Sequence, residues 1–76
     1  MHYSLNARRL LCPMPVIRAQ DRMVELNVGD ELTVYSSDPG ALQDIPAWAR
    51  INGHHVIKTH TEDDDYIVVL KVGVCE

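Results

Sequence analysis

Hydrophobic and polar positions alternate at the start of the chain. Tyr3, Leu5 and Ala7 fall on one side of the alternation, and polar residues separate them. A period of two is typical of a strand that buries one of its faces. The pattern therefore predicts a half-buried strand over residues 2–8.

A helical period replaces the alternation from Pro13 or Pro15 to about Leu26. The predicted inward-facing stripe consists of Val16, Ile17, Gln20, Met23, Val24 and Asn27. Gly29 suits a left-handed cap, because glycine adopts a positive φ without steric cost. The first helix is therefore expected to end shortly before Gly29.

Three more strands and a second helical segment follow. The strands are predicted over residues 31–36, 55–61 and 66–72. The helical segment spans residues 39–52, with Asp38 and Asp44 as candidate caps before Pro39 and Pro46. Proline cannot lie deep inside a regular helix without losing a hydrogen bond. The pattern thus leaves open one kinked helix or a turn followed by a helix.

The resulting order, β-α-β-α-β-β, predicts the fold class. Short helices that alternate with strands pack best as an α/β (α+β) two-layer sandwich, with two helices on one face of a four-stranded mixed sheet. The 76 residues are expected to form a single domain, residues 1–76. The uncovered sheet face would carry Thr33, Tyr35, Ile67 and Val69, as a partner surface or as a tolerated exposed face.

Composition narrows the classes of function. A net charge of −4 argues against direct nucleic-acid binding. The sequence shows no signal peptide and no apolar run long enough to span a membrane, so we expect a cytoplasmic protein without membrane contact. No nucleotide-binding motif and no spacing of metal ligands is present, so neither a cofactor nor a metal is expected.

The candidate reactive group is Cys12, which Pro13, Met14 and Pro15 follow directly. Pro13 suits the first turn of a helix, which would place Cys12 at the N-cap. The positive end of the helix dipole favours thiolate, the nucleophilic form of cysteine. The alternative is a small buried hydrophobic side chain. Both interpretations stay open on these residues alone.

Neighbouring side chains extend this candidate site. Arg8, Arg9 and Arg18 lie near Cys12 in sequence and would add positive potential, unless they are ordinary solvated side chains. Met14 is expected to be exposed beside Cys12 and to contact a partner protein, the alternative being a core filler.

The segment Leu11-Cys12-Pro13-Met14-Pro15 resembles the Cys-Pro-x-Pro signature of the TusA/SirA-like (YedF/YeeD-like) sulfur carrier family. Three further segments resemble the family in order and spacing, and they are residues 29–32, 37–41 and 44–48. The chain departs from the family's usual residues where Asn6 replaces Asp, Arg9 replaces Gly, and Gln20 and Asp21 replace basic residues.

The resemblance implies an open two-layer sandwich and a function. Cys12 would accept persulfide sulfur from a cysteine desulfurase or a rhodanese-type sulfurtransferase and pass it to an acceptor sulfur-relay protein. Pro13 and Pro15 would hold the thiol outward. The chain would act as a monomeric carrier rather than as a self-sufficient enzyme. It would serve tRNA thiolation, molybdenum cofactor synthesis or sulfur metabolism.

Three alternatives remain on the sequence. Cys12 and Cys75 would form a disulfide in a redox-sensing protein. The cysteines and histidines would bind a metal, although no ligand spacing supports this. A non-catalytic interaction module would use the open sheet face and would not need the thiol of Cys12.

Overall fold

A computed structural model describes residues 2–10 and 14–73 of the chain. Its elements are β1 (His2–Ala7), α1 (Met14–Val24), β2 (Glu31–Ser36), α2 (Ala41–Ile51), β3 (His55–Glu62) and β4 (Asp65–Lys71). The predicted fold class is confirmed, and the observed strands agree with the predicted ones to within one residue at each end.

The sheet has the strand order β1-β2-β4-β3 and is mixed. β1 and β2 are parallel, whereas β2 with β4 and β3 with β4 are antiparallel. Ala7 is in register with Ser36, so β1 and β2 end at the same edge of the sheet. The connections that lead to α1 and to α2 therefore start side by side.

The core lies between one face of the sheet and the two helices. The sheet supplies Leu32, Val34, Val68 and Leu70, all completely buried. Ala19 of α1 and Ala49 of α2 are also completely buried. An alanine occupies little space, so each helix can approach the large aliphatic side chains of the sheet closely. Each buried Leu or Val stabilises the fold by about 1.5–3 kcal/mol relative to leaving it exposed.

The predicted inward stripe of α1 is partly wrong. The buried residues of α1 are Pro15, Ala19 and Met23, whereas Ile17 and Val24 are 41% and 52% exposed. Residues four apart form a single line along a helix. The prediction followed the large apolar residues Ile17 and Val24. In the structure, the small residue Ala19 occupies the buried position instead.

The second helical segment is a turn followed by one helix that contains Pro46. Asp38 shapes the turn, because its Oδ1 accepts a hydrogen bond from the Gly40 N–H at 2.9 Å. Gly40 is the N-cap residue and makes no side-chain cap bond. The prediction of Asp44 as a second cap is wrong, because Asp44 lies within the first turn of α2. The helix ends at the end of the predicted segment, with Asn52 as its C-cap, and Gly53 follows at a φ of +82°.

β3 contains a bulge. Val56 is in register with Leu70, and Lys58 is in register with the next residue of β4, Val69. Ile57 is therefore an extra residue in β3 with no partner in β4. A bulge of this kind bends its strand and changes the direction of the side chains beside it.

Candidate functional site

The candidate site lies on the connection between β1 and α1. Leu11, Cys12 and Pro13 fall outside the described residues, as do the predictions made for Cys12 and Pro13, whereas the residues on either side of them are described. On the upstream side, Leu10 is half-buried and packs against the core. On the downstream side, Met14 begins α1. The sequence places Cys12 two positions from each of these residues.

The downstream flank combines a buried anchor with exposed apolar side chains. Pro15 is among the fully buried side chains of the core and fixes the first turn of α1 against it. Met14 is 36% exposed, which confirms the predicted exposure of this side chain. Ile17, one turn further along, is also exposed. The beginning of α1 thus presents an apolar surface next to the cysteine in sequence.

The upstream flank is anchored by Arg8. Its guanidinium donates two hydrogen bonds to Asp65, with 2.8 Å from Nε to Oδ1 and 2.7 Å from Nη2 to Oδ2. It also lies 4.9 Å from the ring centroid of Tyr35, which permits a cation–π contact. Tyr35 has the opposite parity to the core residue Val34 in β2, and Asp65 has the opposite parity to the core residue Val68 in β4, so both lie on the sheet face that no helix covers.

The ion pair changes the titration of both partners. The hydrogen bond from Arg8 lowers the pKa of Asp65 below its usual value of 3.8, and burial only partly opposes this effect. The same hydrogen bond raises the pKa of Arg8. Arg8 was predicted to supply positive potential to Cys12, but its charge is matched here by Asp65. Its observed role is to hold the end of β1 to the start of β4.

Arg9 adopts a backbone conformation that favours glycine, with a φ of +65°. Glycine, the residue that the family resemblance leads one to expect here, would adopt this conformation without steric cost. The Arg9 N–H donates a hydrogen bond of 2.8 Å to Ser37 Oγ. The loop after β1 is thereby tied to the loop after β2.

The predicted arginine cluster divides between two places. Arg8 and Arg9 lie on the upstream flank, whereas Arg18 lies on α1 and lines a surface hollow of about 160 Å³ with Leu5 and Asp21. Arg22, one turn further along α1, forms an ion pair of 2.6 Å with Glu25. Arg18 and Arg22 line the same hollow, whereas the guanidinium of Arg8 contacts Asp65 on the uncovered sheet face.

Sequence reasoning missed Asp65 and Ser37. Asp65 precedes the strand predicted over residues 66–72, but it is the first residue of β4 and binds Arg8. The alternation of β4 carried the necessary signal, because Asp65 has the same parity as Ile67 and Val69 on the uncovered face. No comparable signal marked Ser37, since its contact with Arg9 depends on how two loops pack at the sheet edge.

Within residues 2–10 and 14–73, no three His, Cys, Asp or Glu side chains are grouped so that they could hold a metal ion. In the same part of the chain, neither helix has the length and apolar character needed to cross a membrane.

Comparison with known proteins adds the family. The family described as "Sulfurtransferase TusA" matches residues 3–72. YrkF of Bacillus subtilis strain 168 is 37% identical over 60 residues, which is 79% of this chain but 32% of that protein. The chain thus spans about a third of the length of this longer relative. The sulfur carrier protein TusA of Allochromatium vinosum is 30% identical over 68 residues, and the match covers 90% of both chains.

A solved structure supports the fold independently. The crystal structure of a SirA-like protein from Desulfitobacterium hafniense superposes with a TM-score of 0.82. The match covers 95% of this chain and 99% of that one, at 24% sequence identity. The family match extends over nearly all of the described residues, and relatives at 30% identity or more are sulfur carriers by name. We conclude that this chain belongs to the TusA family of sulfur carrier proteins.

Proposed function

We propose that the chain carries sulfur as a persulfide on Cys12 and relays it between proteins. The observation that carries the proposal is the TusA family match over residues 3–72, which includes the Cys-Pro-x-Pro segment. The position of Cys12, two residues before the start of α1, supports it. A helix N-terminus stabilises a nearby anion, and both a thiolate and a persulfide are anions.

The proposed transfer consists of two displacements. The Cys12 thiolate attacks the terminal sulfur of a donor persulfide, a new S–S bond forms, and the donor cysteine leaves as a thiolate. An acceptor thiolate then attacks the terminal sulfur of the Cys12 persulfide and releases Cys12 as a thiolate. Sulfur moves without any net oxidation or reduction. Because Cys12 must be reloaded after each transfer, the chain acts as a carrier and depends on a separate donor.

The flanks of Cys12 suit direct contact with another protein. Pro15 is buried and Arg8 is held by Asp65, so both ends of the connection are fixed before a partner arrives. A pre-organised loop loses less conformational entropy on docking. Met14 and Ile17 offer exposed apolar contacts to the partner. We propose a cysteine desulfurase or a rhodanese-type sulfurtransferase as the donor and a sulfur-relay protein as the acceptor.

The setting of the relay follows from its chemistry. A free thiol persists in the reducing cytoplasm, where we place the protein. The net charge of −4 disfavours direct contact with nucleic acid, so a pathway such as tRNA thiolation would receive the sulfur through the acceptor. Supply to molybdenum cofactor synthesis or to sulfur oxidation would use the same transfer step.

Intact-mass spectrometry tests the proposal. The protein is incubated with a cysteine desulfurase and cysteine, beside the variants Cys12→Ser and Cys75→Ser. We expect the unmodified protein and Cys75→Ser to gain the mass of one sulfur atom, which a reductant then removes. Cys12→Ser should gain none. Loading that is unchanged in Cys12→Ser, or absent from every form, contradicts the proposal.

A further inference from the structure

The sheet face without helices carries a concavity of about 390 Å³. Its floor consists of Thr33, Ile67 and Val69, which are only 7%, 4% and 6% exposed. No helix packs on this face, so it is the neighbouring side chains that shield these residues from water. These residues therefore form the floor of a hollow in the uncovered sheet face. The sequence predicted an uncovered face but not its hollow shape.

The bulge in β3 places an apolar projection beside this hollow. Ile57 is the extra residue of the bulge, lines the concavity and remains 46% exposed. A projection beside a concavity can be self-complementary about a two-fold axis. The projection of each copy then enters the concavity of the other. Burial of Ile57 in the opposing concavity would remove its exposed apolar surface from water, which favours association.

The charged residues of the uncovered sheet face balance each other, so this face suits contact with a second copy better than the rest of the surface does. Among the described residues, three basic and three acidic side chains lie on this face: Arg8, Lys58, Lys71, Glu31, Glu62 and Asp65. The chain as a whole has seven basic and eleven acidic residues, so its net charge of −4 arises elsewhere in the sequence. Two copies that repel each other overall can thus meet at a face without net charge.

The rim of the concavity repeats one pairing at two ends. His2 Nδ1 lies 3.5 Å from Glu31 Oε1, and His60 Nε2 lies 3.6 Å from Glu62 Oε2. The carboxylate at each end can accept a further hydrogen bond from an opposing copy, because an ionised carboxylate has several acceptor sites. We propose that two copies of this chain associate through the uncovered sheet face, with Ile57 of each copy in the concavity of the other.

The size of the face limits the area of this contact. The molecule measures 31 × 20 × 17 Å, so one face covers at most roughly 600 Å² and a two-fold contact about 1,200 Å². This is the lower end of the range for specific interfaces. We expect a reversible dimer with a dissociation constant on the order of 10–100 µM. It replaces the monomer expected from the sequence whenever the concentration exceeds that value.

Sedimentation velocity over a concentration series tests the proposal. The unmodified chain should shift from monomer to dimer between about 10 µM and about 1 mM. Ile57→Glu and Ile57→Lys should each weaken association at least tenfold, because both would bury a charge in the concavity. Ile51→Glu and Ile51→Lys are the matched controls, since Ile51 is 84% exposed at the end of α2. Both controls should associate like the unmodified chain.

The two substituents separate contact from bulk charge. If overall repulsion governed association, the lysine variants would strengthen it at both positions and the glutamate variants would weaken it at both. Equal effects at Ile57 and Ile51 therefore contradict the proposal. So does an unmodified chain that stays monomeric throughout the series.

The dimer contact at Ile57 and the docking surface at Met14 lie on different sides of the sheet, although Arg8 and Asp65 anchor the Cys12 connection from the dimer face. We expect Ile57→Glu to load sulfur on Cys12 at the unmodified rate, because the exposed flank at Met14 lies on the helical side of the molecule. Failure of dimerisation thus leaves the carrier function untouched. Failure of sulfur loading in every form would leave the dimer equally untouched.

Discussion

Arg8 and Asp65 meet in a two-point ion pair, although 57 positions separate them in the chain. The pair joins the residue after β1 to the first residue of β4. Four residues after Arg8 the chain reaches Cys12. The upstream flank of the cysteine is therefore held by the last strand of the sheet.

Replacing Asp65 with Asn should slow the loading of Cys12. The substitution keeps the shape of the side chain but removes the charge that holds Arg8, so the loop would sample more conformations before a donor docks. Small losses of positioning reduce transfer rates strongly, and we expect a fall of roughly threefold to tenfold. The measurement is the rate of sulfur gain by mass spectrometry with a fixed amount of desulfurase.

Asp64→Asn provides the control for this prediction. Asp64 is the exposed residue directly before Asp65, and replacing it with Asn changes the net charge by the same amount. It should load sulfur at the unmodified rate. Similar rates for the two variants would show that the ion pair does not position the loop.

Acid should destabilise the fold through the same ion pair. The pKa of Asp65 is lowered by Arg8, and the pKa of Asp30 is lowered by the Asn27 N–H, which donates to Asp30 Oδ2 at 3.0 Å. A carboxyl group with a lowered folded-state pKa stabilises the protein above its unfolded-state pKa, here about 3.8. That stability is lost as the pH falls through the lowered value.

Urea denaturation at several pH values measures this effect. The free energy of unfolding should be nearly constant near neutral pH as far as these two groups are concerned, and it should decline below about pH 4. Asp65→Asn should start lower at neutral pH and decline less on acidification. An identical decline in the variant and the unmodified chain would exclude Asp65 as a source of the acid sensitivity.

Arg9→Gly should stabilise the protein. The left-handed conformation costs a non-glycine residue about 1–2 kcal/mol, and the greater freedom of glycine in the unfolded chain offsets part of the relief. We expect a net gain of about 0.5–1 kcal/mol in the free energy of unfolding. The hydrogen bond to Ser37 persists in the variant because the backbone of residue 9 donates it.

Arg50→Gly is the matched control for Arg9→Gly, because it removes the same charge from an exposed position inside α2. Glycine in a helix costs up to about 1 kcal/mol, so the sign of the effect should be opposite. Chemical denaturation of both variants decides the question. A loss of stability in Arg9→Gly would mean that the positive φ is not strained.

Ile17→Asp should impair docking of the sulfur donor without affecting the fold. Ile17 is 41% exposed, so a charge there has access to water in the free protein. The same charge buried under a partner is unfavourable, and we expect the donor concentration needed for half-maximal loading to rise about tenfold. Ile51→Asp makes the same change on α2 and should leave loading unaffected. Equal loading by the two variants would place the donor interface elsewhere.

The sequence predicted the element order, the sheet faces of β2 and β4 and the exposure of Met14, because alternation and turn residues are local signals. It misplaced the inward face of α1, since only packing against the sheet selects Ala19 over Ile17. It predicted positive potential from Arg8 near Cys12 and did not predict the ion pair of Arg8 with Asp65. Contacts between residues that are distant in sequence depend on strand order and register, which periodicity does not specify.

The bulge at Ile57 has a consequence for how the gene can vary. Deleting one codon within a strand normally inverts the faces of every residue that follows, so the core side chains turn outward. Deleting Ile57 would leave each paired residue of β3 opposite its present partner in β4, because Val56 and Lys58 already lie opposite neighbouring residues. The strand thus contains one position at which a length change is compatible with the fold, and such a change would remove the projection from the uncovered face.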